Sequence, residues 1–181
     1  RIEPVEREMD RIFGSAIWGR DDDTFEGAVG ALLAERRQTL SCMESCTGGL
    51  LASTITDTAG CGDYFRGGIV TYWTDLKIDS GVAPAVIEEF GVISAETARA
   101  MAEAVRRELH TDYGVGITGV AGPDDQEGKP PGTVHIGVAT PHGPTVTSSM
   151  SMNQGRAAVK RRAVTSALTL LRRALLEAPG N

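Results

Sequence analysis

The tightest constraint on this chain is the stretch from Thr39 to Ile55. Thr39-Leu40-Ser41-Cys42-Met43 is an apolar run short enough for a strand, and Glu44-Ser45-Cys46-Thr47-Gly48-Gly49 is rich in small hydroxyl residues and glycine. Leu50 to Ile55 then suits a helix. A strand is therefore expected to turn sharply into a helix at Ser45, aiming backbone N–H groups and the positive end of the helix dipole at one point. A serine in that position can be a nucleophile, a phosphate ligand or an N-cap, and the turn alone leaves all three open.

The remaining chain supplies partners for such a unit. Ile2, Val5, Met9, Ile12 and Phe13 are spaced like a short amphipathic helix ahead of Gly14, so residues 1–22 read as a linker or arm and residues 23–181 as one domain. Asp23-Thr24-Phe25-Glu26 offers a capping box for a helix over 24–36. Ile69-Val70-Thr71-Tyr72 reads as a second strand, left through Trp73-Thr74-Asp75-Leu76-Lys77, and Pro84 opens a short helix. Ser94 caps an amphipathic helix that packs through Ala98, Met101, Ala102, Val105 and Leu109. Tyr113 to Ile117 is a third strand ending in the small-residue turn Thr118 to Pro123, and the polar segment 124–131 reads as a mobile loop. Residues 133–139 and 145–152 form an antiparallel pair, and a long helix over 154–177 closes the chain. Helices separate most strands, which predicts a three-layer α/β/α sandwich whose mainly parallel mixed sheet contains one antiparallel strand. Ligands of such sheets lie beyond the carboxyl ends of the strands, where Ser45, Tyr72 and Thr118 all fall.

Composition narrows the chemistry. With 18 basic against 24 acidic residues, net −6, the chain lacks the basic stripe of a nucleic-acid binder, and Lys160-Arg161-Arg162 with Arg172-Arg173 reads as a solvated helix face. No direct nucleic-acid binding is expected. Cys42, Cys46 and Cys61 form no Cys-x-x-Cys pair, and His110, His135 and His142 lie far apart. Neither a disulfide framework nor a metal site is suggested, no cofactor is implied, and a reducing cytoplasm is the expected setting. No apolar run approaches the roughly 18 to 20 residues of a membrane span.

Serine is commonly activated by histidine, but His135 lies in an expected strand and His142 in a turn, which argues against a Ser-His-Asp triad. Lysine with a lowered pKa is the other route, with tyrosine relaying the proton. Tyr72 and Lys77 leave the neighbouring strand and can supply that pair. A strand-end tyrosine can equally be packing, and a loop lysine solvated.

Four motifs in order, Glu44-Ser45-Cys46-Thr47-Gly48-Gly49, Gly67 to Tyr72 with Lys77, Thr118-Gly119-Val120-Ala121-Gly122-Pro123 and Lys129-Pro130-Pro131-Gly132-Thr133-Val134, resemble the CinA C-terminal domain family, which includes the nicotinamide mononucleotide (NMN) deamidases, or PncC. The similarity runs from about Asp21 to Leu176. It implies an amidohydrolase that converts NMN to nicotinate mononucleotide and ammonia without a metal. Ser45 would be the nucleophile and Lys77 with Tyr72 the proton carriers. Backbone N–H groups around Thr47, Gly48 and Gly49 would hold the oxyanion, Glu44 would stand behind the motif, Thr118 and Gly119 would line the nucleotide pocket, and Arg156 would meet the phosphate. The resemblance also implies a homodimer, and an N-terminal half of the molybdopterin-binding-like type, because residues 1–22 resemble the segment joining the halves of full-length CinA proteins.

The chain departs from the family pattern in three places. Trp73 and Thr74 replace a small residue and asparagine, so Trp73 is expected to narrow the pocket. Met152-Asn153-Gln154-Gly155 precedes Arg156 where phenylalanine, any residue, glycine and aspartate are usual, and the loop after Pro123 is acidic rather than glycine-rich. Two alternatives stand beside the deamidase: a nucleotide-sensing or partner-binding module linked to DNA competence that has lost catalysis, and a serine-lysine amidase or peptidase for another substrate.

Overall fold

The computed structural model describes residues 2–178. Arg1 of the expected arm and residues 179–181 of the expected domain lie outside the described residues. Helix α1 (Glu3–Phe13) buries none of its residues. It is joined to the body by a 3₁₀ turn and by Arg172, which donates to the carbonyls of Ser15 and Ile17, while Trp18 meets Phe25 edge-on with ring centroids 5.2 Å apart. Helix α2 (Phe25–Glu35) starts from Thr24, whose hydroxyl accepts the Gly27 N–H. The cap is thus one residue later than the Asp23/Glu26 box expected from sequence.

Strand β1 (Leu40–Glu44), helix α3 (Leu50–Thr56) and strand β2 (Phe65–Val70) follow. Strand β2 begins four residues earlier than its β-branched run. Gly67 has φ +147° beside a register shift opposite Leu40/Ser41, and a Cβ on Gly68 would lie 2.7 Å from the Cys42 Sγ. The two glycines are strand residues that permit a bulge and a close contact, a use that propensity alone scores as loop. Helices α4 (Thr74–Asp79), α5 (Pro84–Phe90) and α6 (Ala95–Glu108) lead to strand β3 (Tyr113–Gly119), then β4 (Val134–Ala139), β5 (Val146–Met150) and α7 (Arg156–Glu177).

The five strands lie in the order β2-β1-β3-β4-β5. β1 pairs parallel with β2 and β3, whereas β4 runs antiparallel to both β3 and β5. Four strands therefore share one direction and β4 alone opposes them, giving the mixed sheet flanked by helices that the alternation of elements predicts. Helix α6 covers one face, and its stripe of Ala98, Met101, Ala102 and Val105 is fully buried. It approaches closely because β3 and β4 present Gly114, Gly116 and Gly137, where a Cβ would collide with the carbonyl oxygens of Ala102 and Ala98. Helices α2, α3 and α7 cover the other face, with α7 burying Val159, Ala163, Ala167, Leu171 and Leu175. Each of its buried valine and leucine side chains is worth roughly 1.5–3 kcal/mol of burial.

The chain steps from β1 out to β2 and then crosses back to β3 on the other side of β1. That reversal opens a crevice at the carboxyl ends of β1 and β3.

Candidate active site

Ser45 is the first residue beyond β1. Its N–H continues the sheet by donating to the Ile117 carbonyl at 3.0 Å, and its side chain is nearly buried. The expected sharp turn is present, but the helix starts at Leu50, five residues later. Between them, Gly48 and Gly49 take φ +62° and +92°, left-handed values that favour glycine.

The amides at this turn are distributed differently from the sequence expectation. Glu44 turns its buried carboxylate back onto α3, where it accepts the N–H groups of Gly49 at 3.1 Å, Leu51 at 3.0 Å and Ala52 at 2.8 Å. It is the cap of α3, so its contacts are structural and none is left for a substrate. The Gly48 N–H donates to the Ser45 carbonyl at 3.0 Å. Gly48 and Gly49 thus shape the turn and supply no donor to the cleft. Among the described residues, the N–H groups of Cys46 and Thr47 donate to no other residue; Cys46 lines the cleft, and Thr47 is fully buried behind it.

Lys77 lies in α4, not in a loop. Helical spacing turns it inward, it is fully buried, and its Nζ stands 3.0 Å from Ser45 Oγ, 2.6 Å from the Thr71 carbonyl and 3.5 Å from the Tyr72 carbonyl. Burial lowers its pKa from 10.5 to about 8, opposed by Glu127 and Asp75. The Cys46 thiol is pushed the other way, to about 11, chiefly by burial. Near neutral pH it stays protonated, which disfavours cysteine as the nucleophile at this turn.

Tyr72 is placed otherwise than expected. Its ring is about half exposed, and its hydroxyl accepts a hydrogen bond from Arg156 at 2.7 Å; it has no bond to Ser45 or Lys77. Only its backbone carbonyl faces the lysine. Arg156, the first residue of α7, also donates to the Gly122 carbonyl at 2.7 Å, so it meets the cleft of its own chain.

These residues enclose a cleft of about 440 Å³ that reaches from Ser45 and Cys46 past Thr118 and Gly119 to Asp124, Asp125, Gln126 and Arg156. The Thr118 hydroxyl donates to the Val92 carbonyl at 2.8 Å, and Gly119 packs against Thr133 and Val134. Trp73 borders the cleft but is 72% exposed, so it stands at the mouth instead of filling it. Segment 124–131, read from sequence as a mobile loop, is irregular apart from a tight turn at 126–129, where Gln126 and Lys129 exchange backbone hydrogen bonds. Motif reading misses Val92 and Ile93, which line the cleft, as well as the Thr71 carbonyl that accepts from Lys77 and the Cys46 amide beside Ser45. The first two stand outside every motif, and the last two act through backbone atoms that carry no side-chain signal.

Among the described residues, no three His, Cys, Asp or Glu side chains are gathered to hold a metal ion, and no helix is long and apolar enough to cross a membrane.

Fold and site together define an α/β protein whose switch-point cleft is built around a serine and a buried lysine. The chain belongs to the CinA C-terminal domain family, which matches residues 22–175. It is 46% identical to a CinA-like protein of Frankia casuarinae over 99% of this chain and 42% of that protein. A CinA-like protein of Synechocystis is 43% identical over 96% of this chain and 43% of its own length. The chain therefore spans less than half the length of these relatives. Among solved structures, a competence-damaged protein (CinA) superfamily protein of Klebsiella pneumoniae superposes with TM-score 0.82 at 27% identity, over 85% of this chain and 97% of that one. A competence/damage inducible protein of Agrobacterium tumefaciens does so with TM-score 0.77 at 30% identity, over 88% and 100%.

Proposed function

We propose that this cleft deamidates NMN. The observation that carries the reading is the fully buried Lys77 amine 3.0 Å from Ser45 Oγ, in a cleft at the switch point of the sheet. A neutral lysine has two N–H bonds and one lone pair. The Thr71 and Tyr72 carbonyls accept the first two, which leaves the lone pair for the Ser45 hydroxyl. With its pKa at about 8, roughly a tenth of Lys77 is neutral at pH 7.

As Ser45 Oγ attacks the carboxamide carbon, its proton passes to Lys77 Nζ and the carbonyl oxygen becomes an oxyanion beside the Cys46 amide at the turn. Lys77 then protonates the departing nitrogen, the C–N bond breaks, and ammonia leaves an acyl-serine. Water, deprotonated by Lys77, attacks that ester, and the proton returns to Ser45 as nicotinate mononucleotide is released. The rim suits a substrate with separated charges. Arg156 has only neutral partners and can turn to a phosphate, whereas Asp124 and Asp125 border the cleft from segment 124–131, where a cationic pyridinium ring would be favoured.

Ammonia release from NMN, measured for the wild type beside Ser45→Ala, tests this. A folded wild type that releases none would remove the reading. One observation favours binding without turnover, the engagement of the Tyr72 hydroxyl by Arg156 away from Lys77. NMN binding with no ammonia would support that second reading.

A further inference from the structure

The strap between Gly122 and Gly132 carries a backbone conformation that its sequence does not favour. Gln126 and Lys129 are joined by hydrogen bonds of 3.1 and 2.9 Å, and the turn between them has positive φ at both residues, +51° at Glu127 and +68° at Gly128. Such turns favour Asn, Asp or Gly in the first place, and a glutamate there needs compensation.

The compensation lies outside the turn. One carboxylate oxygen of Glu127 accepts the Val92 N–H and the other the Ile93 N–H, both at 3.1 Å, with Lys129 Nζ 3.6 Å away. Gly91 leaves the space, since a Cβ there would lie 2.8 Å from Glu127 Oε2. Val92 and Ile93 line the cleft, and the Val92 carbonyl accepts the Thr118 hydroxyl at the end of β3. A single carboxylate therefore ties the strap that bears Asp124, Asp125 and Gln126 to the cleft wall.

We infer that Glu127 is a positioning residue for substrate recognition, pinning the acidic strap over the cleft that holds Ser45. The inference rests on the deamidase reading for its substrate, though the pinning itself does not. A second effect follows from charge. The groups that bear on Lys77 are Asp75 on α4 and Glu127 on the strap, whose charges favour the ammonium form against burial, and the Cys46 thiol on the turn, which would do so only as a thiolate and is still protonated where Lys77 titrates. Removing the Glu127 charge makes Lys77 easier to deprotonate.

Glu127→Gln and Glu127→Ala in the whole chain test this through steady-state ammonia release from NMN across pH, together with hydrogen exchange at the Val92 and Ile93 amides. The expected result is a KM raised about tenfold, the loss of charge-assisted hydrogen bonds, with plateau kcat within about twofold. The rising limb of kcat/KM moves to lower pH, and both amides exchange faster than in the wild type. A wild-type KM and an unmoved limb overturn the recognition role, because a merely structural loop would shift neither. If the wild type releases no ammonia, the deamidase reading fails alone. Exchange then decides the pinning: faster exchange at Val92 and Ile93 in Glu127→Ala upholds it, and unchanged exchange overturns it.

Discussion

The two walls of the cleft are built on different terms. On the inner wall, Ser45 and Lys77 are buried, and their positions are over-determined by backbone groups: Ser45 by the Ile117 carbonyl, Lys77 by the Thr71 and Tyr72 carbonyls, and the turn by the Glu44 cap. On the outer wall, Tyr72, Trp73 and Arg156 are exposed, and Arg156 and Tyr72 hold each other through side chains. A proton transfer requires fixed sub-ångström geometry and a desolvated amine, which only the inner wall supplies. On the proposed reading, a nucleotide that must enter and leave requires side chains that can turn, which the outer wall supplies. Substitutions should accordingly split, with inner-wall changes falling on kcat and outer-wall changes on KM.

Ser45→Ala is expected to give the largest effect. If Ser45 forms the proposed acyl intermediate, kcat should fall at least about 10⁴-fold, while NMN binding measured by calorimetry stays within a few-fold. Loss of binding without comparable loss of kcat would break the division of labour. Lys77→Met comes next, with kcat reduced about 10³-fold or more, and it also carries a stability signature. The folded pKa of Lys77 lies below its unfolded value, so between about 8 and 10.5 the unfolded chain binds more protons and stability rises with pH. Below that window the full penalty remains, roughly 3 kcal/mol for a fall from 10.5 to about 8. Methionine removes the penalty but orphans the Thr71 carbonyl, a cost of about 1–3 kcal/mol. Lys77→Met should therefore be the more stable protein at pH 7 and the less stable one above pH 10.5. Denaturant titrations at both pH values check that crossing, and in the wild type kcat/KM should rise with pH through about 8.

Glu44→Gln probes the support of the inner wall. A glutamine has one acceptor oxygen for three N–H groups and turns its own NH₂ toward the start of α3. A stability loss of about 2 kcal/mol is expected. With it should come a roughly tenfold fall in kcat as the turn that carries Ser45 and the Cys46 amide loses its alignment. Unchanged kcat in a destabilised protein would mean that the cap serves the fold alone.

Much of the inner wall was legible in the sequence because its residues carry chemical signals. A serine between an apolar run and paired glycines announces a turn, and helical spacing after Ser94 announces the layer behind it. Lys77 was legible as a reactive type but not as a buried one. The sequence places it a few residues beyond a strand, and only the start of α4 at Thr74 turns it inward. Glu44, expected behind the motif, stands there as a cap, its carboxylate supplying the side-chain acceptor that Gly49 lacks at the start of α3. The contacts of the strap lie beyond what its local sequence can show. Glycine and proline density signals mobility, but the tie through Glu127 is made to Val92 and Ile93, more than 30 residues away, and no local pattern encodes such a contact.

Tyr72 is the residue on which the two walls compete, and the smallest predicted effect decides between them. Family resemblance assigns its hydroxyl to the proton path, whereas in the structure that hydroxyl accepts from Arg156 and only the Tyr72 carbonyl reaches Lys77. If the outer-wall placement governs, Tyr72→Phe removes one hydrogen bond that orients Arg156, raising KM about three- to tenfold and leaving kcat within about twofold. A relay would behave otherwise. Loss of a proton carrier lowers kcat about 100-fold or more with KM little changed, and would require the hydroxyl to swing off Arg156 when substrate arrives. Because the phosphate is the expected partner of Arg156, such a swing is physically available: an arginine drawn to phosphate releases the tyrosine it held. The kcat of Tyr72→Phe therefore shows whether Tyr72 stays with the outer wall once NMN is bound or joins the inner one.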